Sequence, residues 1–258
     1  MEYERLIGYE LTVARRFDRC LLISEKDRLA IDPNRELKNV FYNPHGTDVD
    51  LFAPPPNNKR EPASVVFAGA LSIDTNSDAV LFFVDKILPR IWRQRPDVRF
   101  YIVGKNPPAS IIRLNKDPRI RVTGFLEDIR PYLWRCSVGV DPIRIAAGMQ
   151  NKVIEGMAAG LPMVVSPEAN EGIGAPEREA LVVGKNPEDF ATKVLTLINC
   201  PEVAQKLSIT GRNYVKKYWS WEYHFRQLEG LFFELVTAYR EGRKDVDCEK
   251  RSIRFALS

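Results

Sequence analysis

Histidine and cysteine are scarce in this 258-residue chain. There are two histidines, His45 and His224, and four cysteines, Cys20, Cys136, Cys200 and Cys248. None stand at metal-ligand spacing, so a zinc site is not expected. Cysteines this scattered fit a reducing compartment, and the expected location is cytoplasmic. No run approaches the ~18 apolar residues of a spanning helix. The opening residues, MEYERLIGYE, carry glutamates and no apolar stretch, so no secretory signal is expected. A dense basic patch is missing too. Lys and Arg number 38 against 34 Asp and Glu, a formal charge of +4, and no nucleic-acid partner is expected from so thin an excess. That excess reads first as a solvated surface. Its sharper reading is weak attraction to phosphate ligands or to anionic lipid at the inner face of a membrane.

What is present is a packed core: 45% of residues are hydrophobic and 28% charged. Glu2 to Arg19 suits a helix, RCLLIS at 19–24 a buried strand, Glu25 to Ile31 a helix and NVFY at 39–42 a second strand. Three prolines in Ala53-Pro54-Pro55-Pro56-Asn57-Asn58-Lys59-Arg60 make a stiff spacer and mark a domain boundary. Beyond it, strands alternate with helices. Strands are predicted at Val65–Ala68, Arg99–Val103, Ile120–Thr123, Val138–Pro142, Met163–Ser166 and Ala180–Val183. Helices are predicted at Asp78–Gln94, Asp128–Arg135 and Lys152–Ala159, and from Pro187, Pro201 and Trp221. Short continuous apolar runs separated by helices predict an α/β fold, a Rossmann-like parallel sheet with helices on both faces. Such sheets bind ligands at the carboxyl ends of their strands.

The segment from Ile145 to Pro162 occupies such an end. Small residues Ala146 to Gly148 admit a ligand close to the backbone. The helix starting near Gln150 points unpaired N–H groups outward, which suits a pyrophosphate. Lys152 puts a positive charge in the first turn, against the helix dipole, and an anionic ligand would explain it. Glu155 can accept bonds from two ribose hydroxyls. From spacing alone a plain buried helix with one polar edge accounts for the pattern equally well.

A resemblance shifts that balance. NKVIEGMAAGLPMVVS resembles the signature of retaining GT-B glycosyltransferases of family 4 (group 1), and AAGMQNKVIEGMAAG is most similar to the branch associated with exosortase (PEP-CTERM) exopolysaccharide systems. NPHGTDVDLFAP, VVFAGAL with Asn76 soon after, FYIVGKNP, VTGFLEDIRPYLWRCSVGVDPI and GIGAPEREALVVGKNPEDFA follow in the family's order. The resemblance implies a nucleotide-sugar site of Gly148, Gln150, Asn151, Lys152 and Glu155, with Gly69 and Ala70 beside the phosphates or sugar. Gly124, Phe125 and Leu126 would face the base, although Phe125 could equally be a core residue. Lys152 would be the catalytic cation, stabilising the leaving diphosphate. Glu171 is either a sugar contact or a solvated charge, and His45, Trp219 and Trp221 read as packing residues.

Two positions depart from the family. The first glutamate of its pair, seven residues before the one matching Glu155, is Ala147 here, so no role can be carried over for it. Ala70 stands where many relatives have arginine, and Lys105 is the candidate replacement for that charge. The domains expected are 1–53 as the remnant of an N-terminal acceptor domain, 54–63 as linker, 64–242 as the donor-binding domain and 243–258 as a tail. The expected function is sugar transfer with retention from a UDP- or GDP-linked donor to a glycan or lipid-linked acceptor, with no separate cofactor and no metal. The short first section suggests an N-terminal truncation, with a missing half or self-association covering exposed strand edges. The alternative is a non-catalytic nucleotide-binding module.

Overall fold

The computed structural model describes residues 2–145 and 148–242. Ala146 and Ala147, and the tail expected at 243–258, lie outside the described residues. The chain forms two compact units. One takes the chain up to Gly46 together with the segment from Trp219; the other is Thr47–Tyr218.

The first unit begins with helix α1 (Glu2–Ala14), strand β1 (Cys20–Leu22), helix α2 (Glu25–Ile31) and strand β2 (Val40–Tyr42). β1 and β2 pair in parallel, with Cys20 opposite Val40. Helix α1 stops at Ala14 rather than at Arg19. The Asn39 amide donates to the carbonyls of Ala14, at 2.7 Å, and Phe17, at 2.8 Å, and so serves the helix end from outside it. Ser24 caps α2 by accepting the Asp27 amide.

The second unit contains β3 (Glu61–Ala68), α3 (Asp74–Phe82), a π-helical turn (Phe83–Ile87), α4 (Leu88–Gln94), β4 (Arg99–Val103), α5 (Ala109–Ile112), β5 (Ile120–Val122), α6 (Arg130–Arg135) and β6 (Cys136–Asp141). It continues with α7 (Asn151–Ala158), β7 (Met163–Val165), α8 (Pro167–Glu171), β8 (Val182–Val183), α9 (Pro187–Asn199) and α10 (Pro201–Tyr218). The last helix, α11 (Trp221–Arg240), belongs to the first unit, where the sequence had placed it within 64–242.

Six strands form one sheet in the order β5-β4-β3-β6-β7-β8, all parallel. The central strands are buried on both faces: Val65, Phe67, Phe100, Ile102, Val138, Val164 and Val165 have no exposed surface. That burial is why they read as unbroken apolar runs and not as alternating patterns. The chain builds outward from β3 to β5, then returns to place β6 on the other side of β3. The carboxyl ends of β3 and β6 therefore diverge and leave a crevice at the point where the strand order reverses, the place where open α/β sheets take ligands.

Three local features differ from the sequence reading. Strand β3 starts at Glu61, inside the expected linker, and Pro62 sits where the β3–β6 register shifts between Glu61 and Val65, so its missing N–H interrupts no regular ladder. Residues 47–60 run within the second unit as a tethered strap. Trp134 Nε1 donates to Phe52 O at 2.9 Å, Arg130 donates to Leu51 O at 3.0 Å, and Asn58 donates to Trp134 O at 2.8 Å. The Arg60 guanidinium donates to the carbonyls of Leu133, Trp134, Cys136, Ala159 and Gly160, which gather at the ends of α6 and α7. Finally, the helix from α3 to α4 runs through Pro89 by way of the π turn, in which the Leu88 amide reaches Phe83 O. A wide turn of this kind accommodates a proline that a regular helix interior would reject.

Candidate functional site

The crevice is built from the loops after β3 and β6. After β3 the chain must turn at once, and it does so against β4. A Cβ on Gly104 would lie 1.8 Å from the Gly69 carbonyl oxygen, so glycine alone allows this approach. The loop is held by Gly69 N donating to Val103 O at 2.9 Å and Leu71 N donating to Lys105 O at 3.0 Å. Asn76, in the first turn of α3, donates its Nδ2 to Ala70 O at 2.9 Å and pins the loop from above.

After β6, Gly148 takes a left-handed backbone with φ of 75°, a conformation that favours glycine. It leads to Gln150, the residue preceding α7. The Gln150 side chain makes no capping bond to the helix. Instead it donates to Gly148 O at 3.3 Å and accepts from Lys152 Nζ at 2.6 Å. The start of α7 thus keeps its orphan N–H groups free of a side-chain cap.

Lys152 crosses the crevice. Its ammonium donates to Gln150 Oε1 and, at 3.1 Å, to Asn76 Oδ1, and it stands 3.2 Å from Asp141 Oδ2. It also lies 5.8 Å from the centre of the Phe67 ring. Asp141, the last residue of β6, is fully buried, and neither of its oxygens receives a directed hydrogen bond. Burial pushes its carboxyl up from 3.8 to about 6 against the opposing pull of Lys152. Glu155, one turn along α7, is half-buried and is likewise raised by burial, with Lys152 pulling the other way.

The residues singled out from the sequence separate into groups. Gly69, Ala70, Gln150 and Lys152 come together through Asn76, and Glu155 shares the field of Lys152. Asn151 is exposed on the first turn of α7. Lys105 is exposed after β4, while Gly124, Phe125 and Leu126 follow β5, the outermost strand on that side. No hydrogen bond or ion pair among the described residues ties these last four to Lys152. Phe125 is 70% exposed, which removes the core reading. Glu171 is exposed as well. Asp141 and Asn76 were not picked out as site residues. Asp141 could have been, because a lone carboxylate inside the apolar run VGVDP must be buried and must find a cation. The position of Lys152 against the helix dipole, read as a sign of an anionic ligand, has a resident partner in that carboxylate.

A family model described as Glycosyl transferases group 1 matches residues 62–200. The chain belongs to this family. No curated protein matches it in sequence. Among solved structures, Anabaena HepE in complex with UDP and glucose is similar at a TM-score of 0.70 and 13% identity, over 88% of this chain and 66% of that one. Sucrose-phosphate synthase from Thermosynechococcus elongatus is similar at 0.72 and 18%, over 91% and 62%. The C-terminal domain of a group 1 family protein, LpcC, from Francisella tularensis is similar at 0.53 and 16%, over 68% of this chain and 99% of that domain. At these identities the likeness is one of fold, and the fold is GT-B-like α/β. The chain spans less than two thirds of the length of HepE and of the synthase. Among the described residues no helix is long and apolar enough to cross a membrane, and no group of three or more His, Cys, Asp or Glu could hold a metal ion.

Proposed function

We propose that this group 1 chain binds a nucleotide sugar in the crevice between β3 and β6 and takes part in glycosyl transfer from it. The observation that carries the proposal is the convergence of Lys152, Gln150 and Asn76 at the uncapped start of α7, where the sheet order reverses. Helix N–H groups and a neighbouring ammonium are suited to a diphosphate. They would stabilise the charge that builds on the leaving group as the glycosidic bond breaks. Glu155 is placed one turn further on for the ribose, and the exposed Phe125 offers a face to a base.

UDP is the first ligand to test, because HepE structures hold UDP and UDP-glucose; GDP is the second. Retention of configuration, a glycan or lipid-linked acceptor, and a role in exopolysaccharide or envelope glycan synthesis at the cytoplasmic face of the membrane complete the reading. A second reading, binding without turnover, is favoured by Ala147 standing where the resemblance expects a glutamate. Calorimetric titration of UDP, GDP and UDP-glucose tests the binding. Lys152→Ala is expected to weaken nucleoside diphosphate binding by ~10–100-fold, the range of a lost charge-assisted contact. Absence of binding by all three ligands at millimolar concentration would sink the proposal. Release of UDP from UDP-glucose on adding acceptor separates the enzyme from the binding module.

A further inference from the structure

We infer that Asp141 is a built-in counter-ion that holds the Lys152 ammonium across the crevice while the site is empty, so that a phosphate-bearing ligand must draw Lys152 away from it. The inference rests on the proposed diphosphate site at the start of α7. Asp141 is a positioning residue here and not a catalytic one: it is fully buried behind Lys152 and cannot itself touch a ligand at the crevice mouth.

An ammonium has three protons. Lys152 has three acceptors around it, Gln150 Oε1 at 2.6 Å, Asn76 Oδ1 at 3.1 Å and Asp141 Oδ2 at 3.2 Å. Its side chain retains only 13% of its surface. The two amide oxygens, of the buried Asn76 and Gln150 side chains, are neutral. The carboxylate is the only anion among the three and sits on a central strand. Lys152 is the one cation that acts on Asp141 among the described residues, so it is the carboxylate's compensation. A carboxylate buried in this way is costly. The sequence retains it at the end of a strand that needs only apolar residues to pack. An incoming phosphate therefore competes with Asp141 for the same cation and feels the same negative charge behind it. Glu155, on α7, is the other ionisable side chain that acts on Lys152, and it is less buried.

The consequence runs opposite to that of an ordinary structural residue. Removing Asp141 should strengthen anion binding, because the cation is released and a like charge is withdrawn. The test measures Kd by calorimetry for inorganic pyrophosphate, UDP and uridine on wild type, Asp141→Asn, Lys152→Met and the double variant, with circular dichroism to verify the fold. Asp141→Ala, which presents no amide to the ammonium, stands in if Asp141→Asn does not fold. Pyrophosphate and UDP should bind Asp141→Asn roughly tenfold tighter than wild type, the size expected for removing one nearby like charge. Uridine binding should be unchanged. The gain should be smaller in the Lys152→Met background, where no cation is left to release. A folded Asp141 variant with unchanged or weaker pyrophosphate affinity overturns the inference, as does a gain of full size without Lys152. If pyrophosphate behaves as expected and neither UDP nor uridine binds, the nucleotide reading fails and the counter-ion assignment stands. If pyrophosphate binds neither wild type nor variant at millimolar concentration, both fall.

Discussion

Replacing Arg60 with methionine removes the one side chain that joins the strap 47–60 to the ends of two helices. Its guanidinium donates to Leu133 O at 3.0 Å, Trp134 O at 3.1 Å, Cys136 O at 2.7 Å, Ala159 O at 3.4 Å and Gly160 O at 2.6 Å. These carbonyls stand at the negative ends of α6 and α7, which explains why a cation is tolerated here without a carboxylate. Burial nevertheless lowers the guanidinium to about 10, so the cost of sequestering the charge is real and offsets part of the gain. In the variant, Trp134 O keeps its bond from Asn58 and Gly160 O keeps the Ser208 hydroxyl. Leu133, Cys136 and Ala159 lose their guanidinium donor, at about 1–3 kcal/mol each for an acceptor left unsatisfied. Loss of the favourable dipole interaction adds about 1–2 kcal/mol, and relief of the buried charge returns several. The net expectation is a loss of about 2–4 kcal/mol, seen as a fall in Tm of roughly 5–12 °C for a unit of this size. Urea unfolding followed by circular dichroism measures it. Lysine should recover less than half, since one ammonium cannot span both helix ends. A loss under about 1 kcal/mol, or full rescue by lysine, refutes the staple. Nucleotide affinity should not change, because Arg60 precedes β3 at the amino end of the strand, and the crevice is at the carboxyl end.

Three further outcomes are expected. His224, 3% exposed, is held down from 6.5 to about 4 by burial and by the charge of His45. A depressed histidine contributes stability above its unfolded value that is lost as pH falls, here between 6.5 and about 4 and by up to about 3 kcal/mol. His224→Phe should flatten that part of the acid-denaturation curve, and an unaltered curve contradicts the assignment. Phe125→Ala should leave stability within about 0.5 kcal/mol of wild type, as expected for an exposed side chain, yet weaken UDP binding several-fold; equal affinity would remove Phe125 from the site. Gly104→Ala should cost upwards of about 3 kcal/mol, because the new methyl meets the Gly69 carbonyl and the backbone must move. A crystal structure showing the β3–β4 crossing unmoved in that variant would refute this reading.

The alternation of strands and helices was legible because each parallel strand is buried on both faces and so appears as an uninterrupted apolar run. Errors arose where side chains act at a distance. Helix α1 ends early because of Asn39, a residue 25 positions from Ala14. Helix α3 begins at Asp74 and not at Asp78, and the side chains of Asn76 and Ser77 turn back to the carbonyls of Ala70 and Leu71. The short α8 carries a proper start, with Ser166 accepting the Ala169 amide and Pro167 in the first turn, but five residues are too few to show a period. The start of α7 was singled out by its lysine and by the small residues before it. The carboxylate facing that lysine was passed over although it lies only eleven residues upstream, because VGVDP was read as a strand alone and not as a strand whose one charge needs a cation.

The π turn at Phe83–Ile87 gives the helix that begins at the crevice two independent settings. Upstream, α3 must aim Asn76 at the loop after β3. Downstream, α4 must seat Leu88 and Ile91 in the core, against α9. A single regular helix would couple these two demands through one fixed angular step per residue. One wide turn, which also accommodates Pro89, acts as a phase adjuster between them. Sequence changes in the distal half can thus retune its packing without rotating the amide that holds the loop after β3.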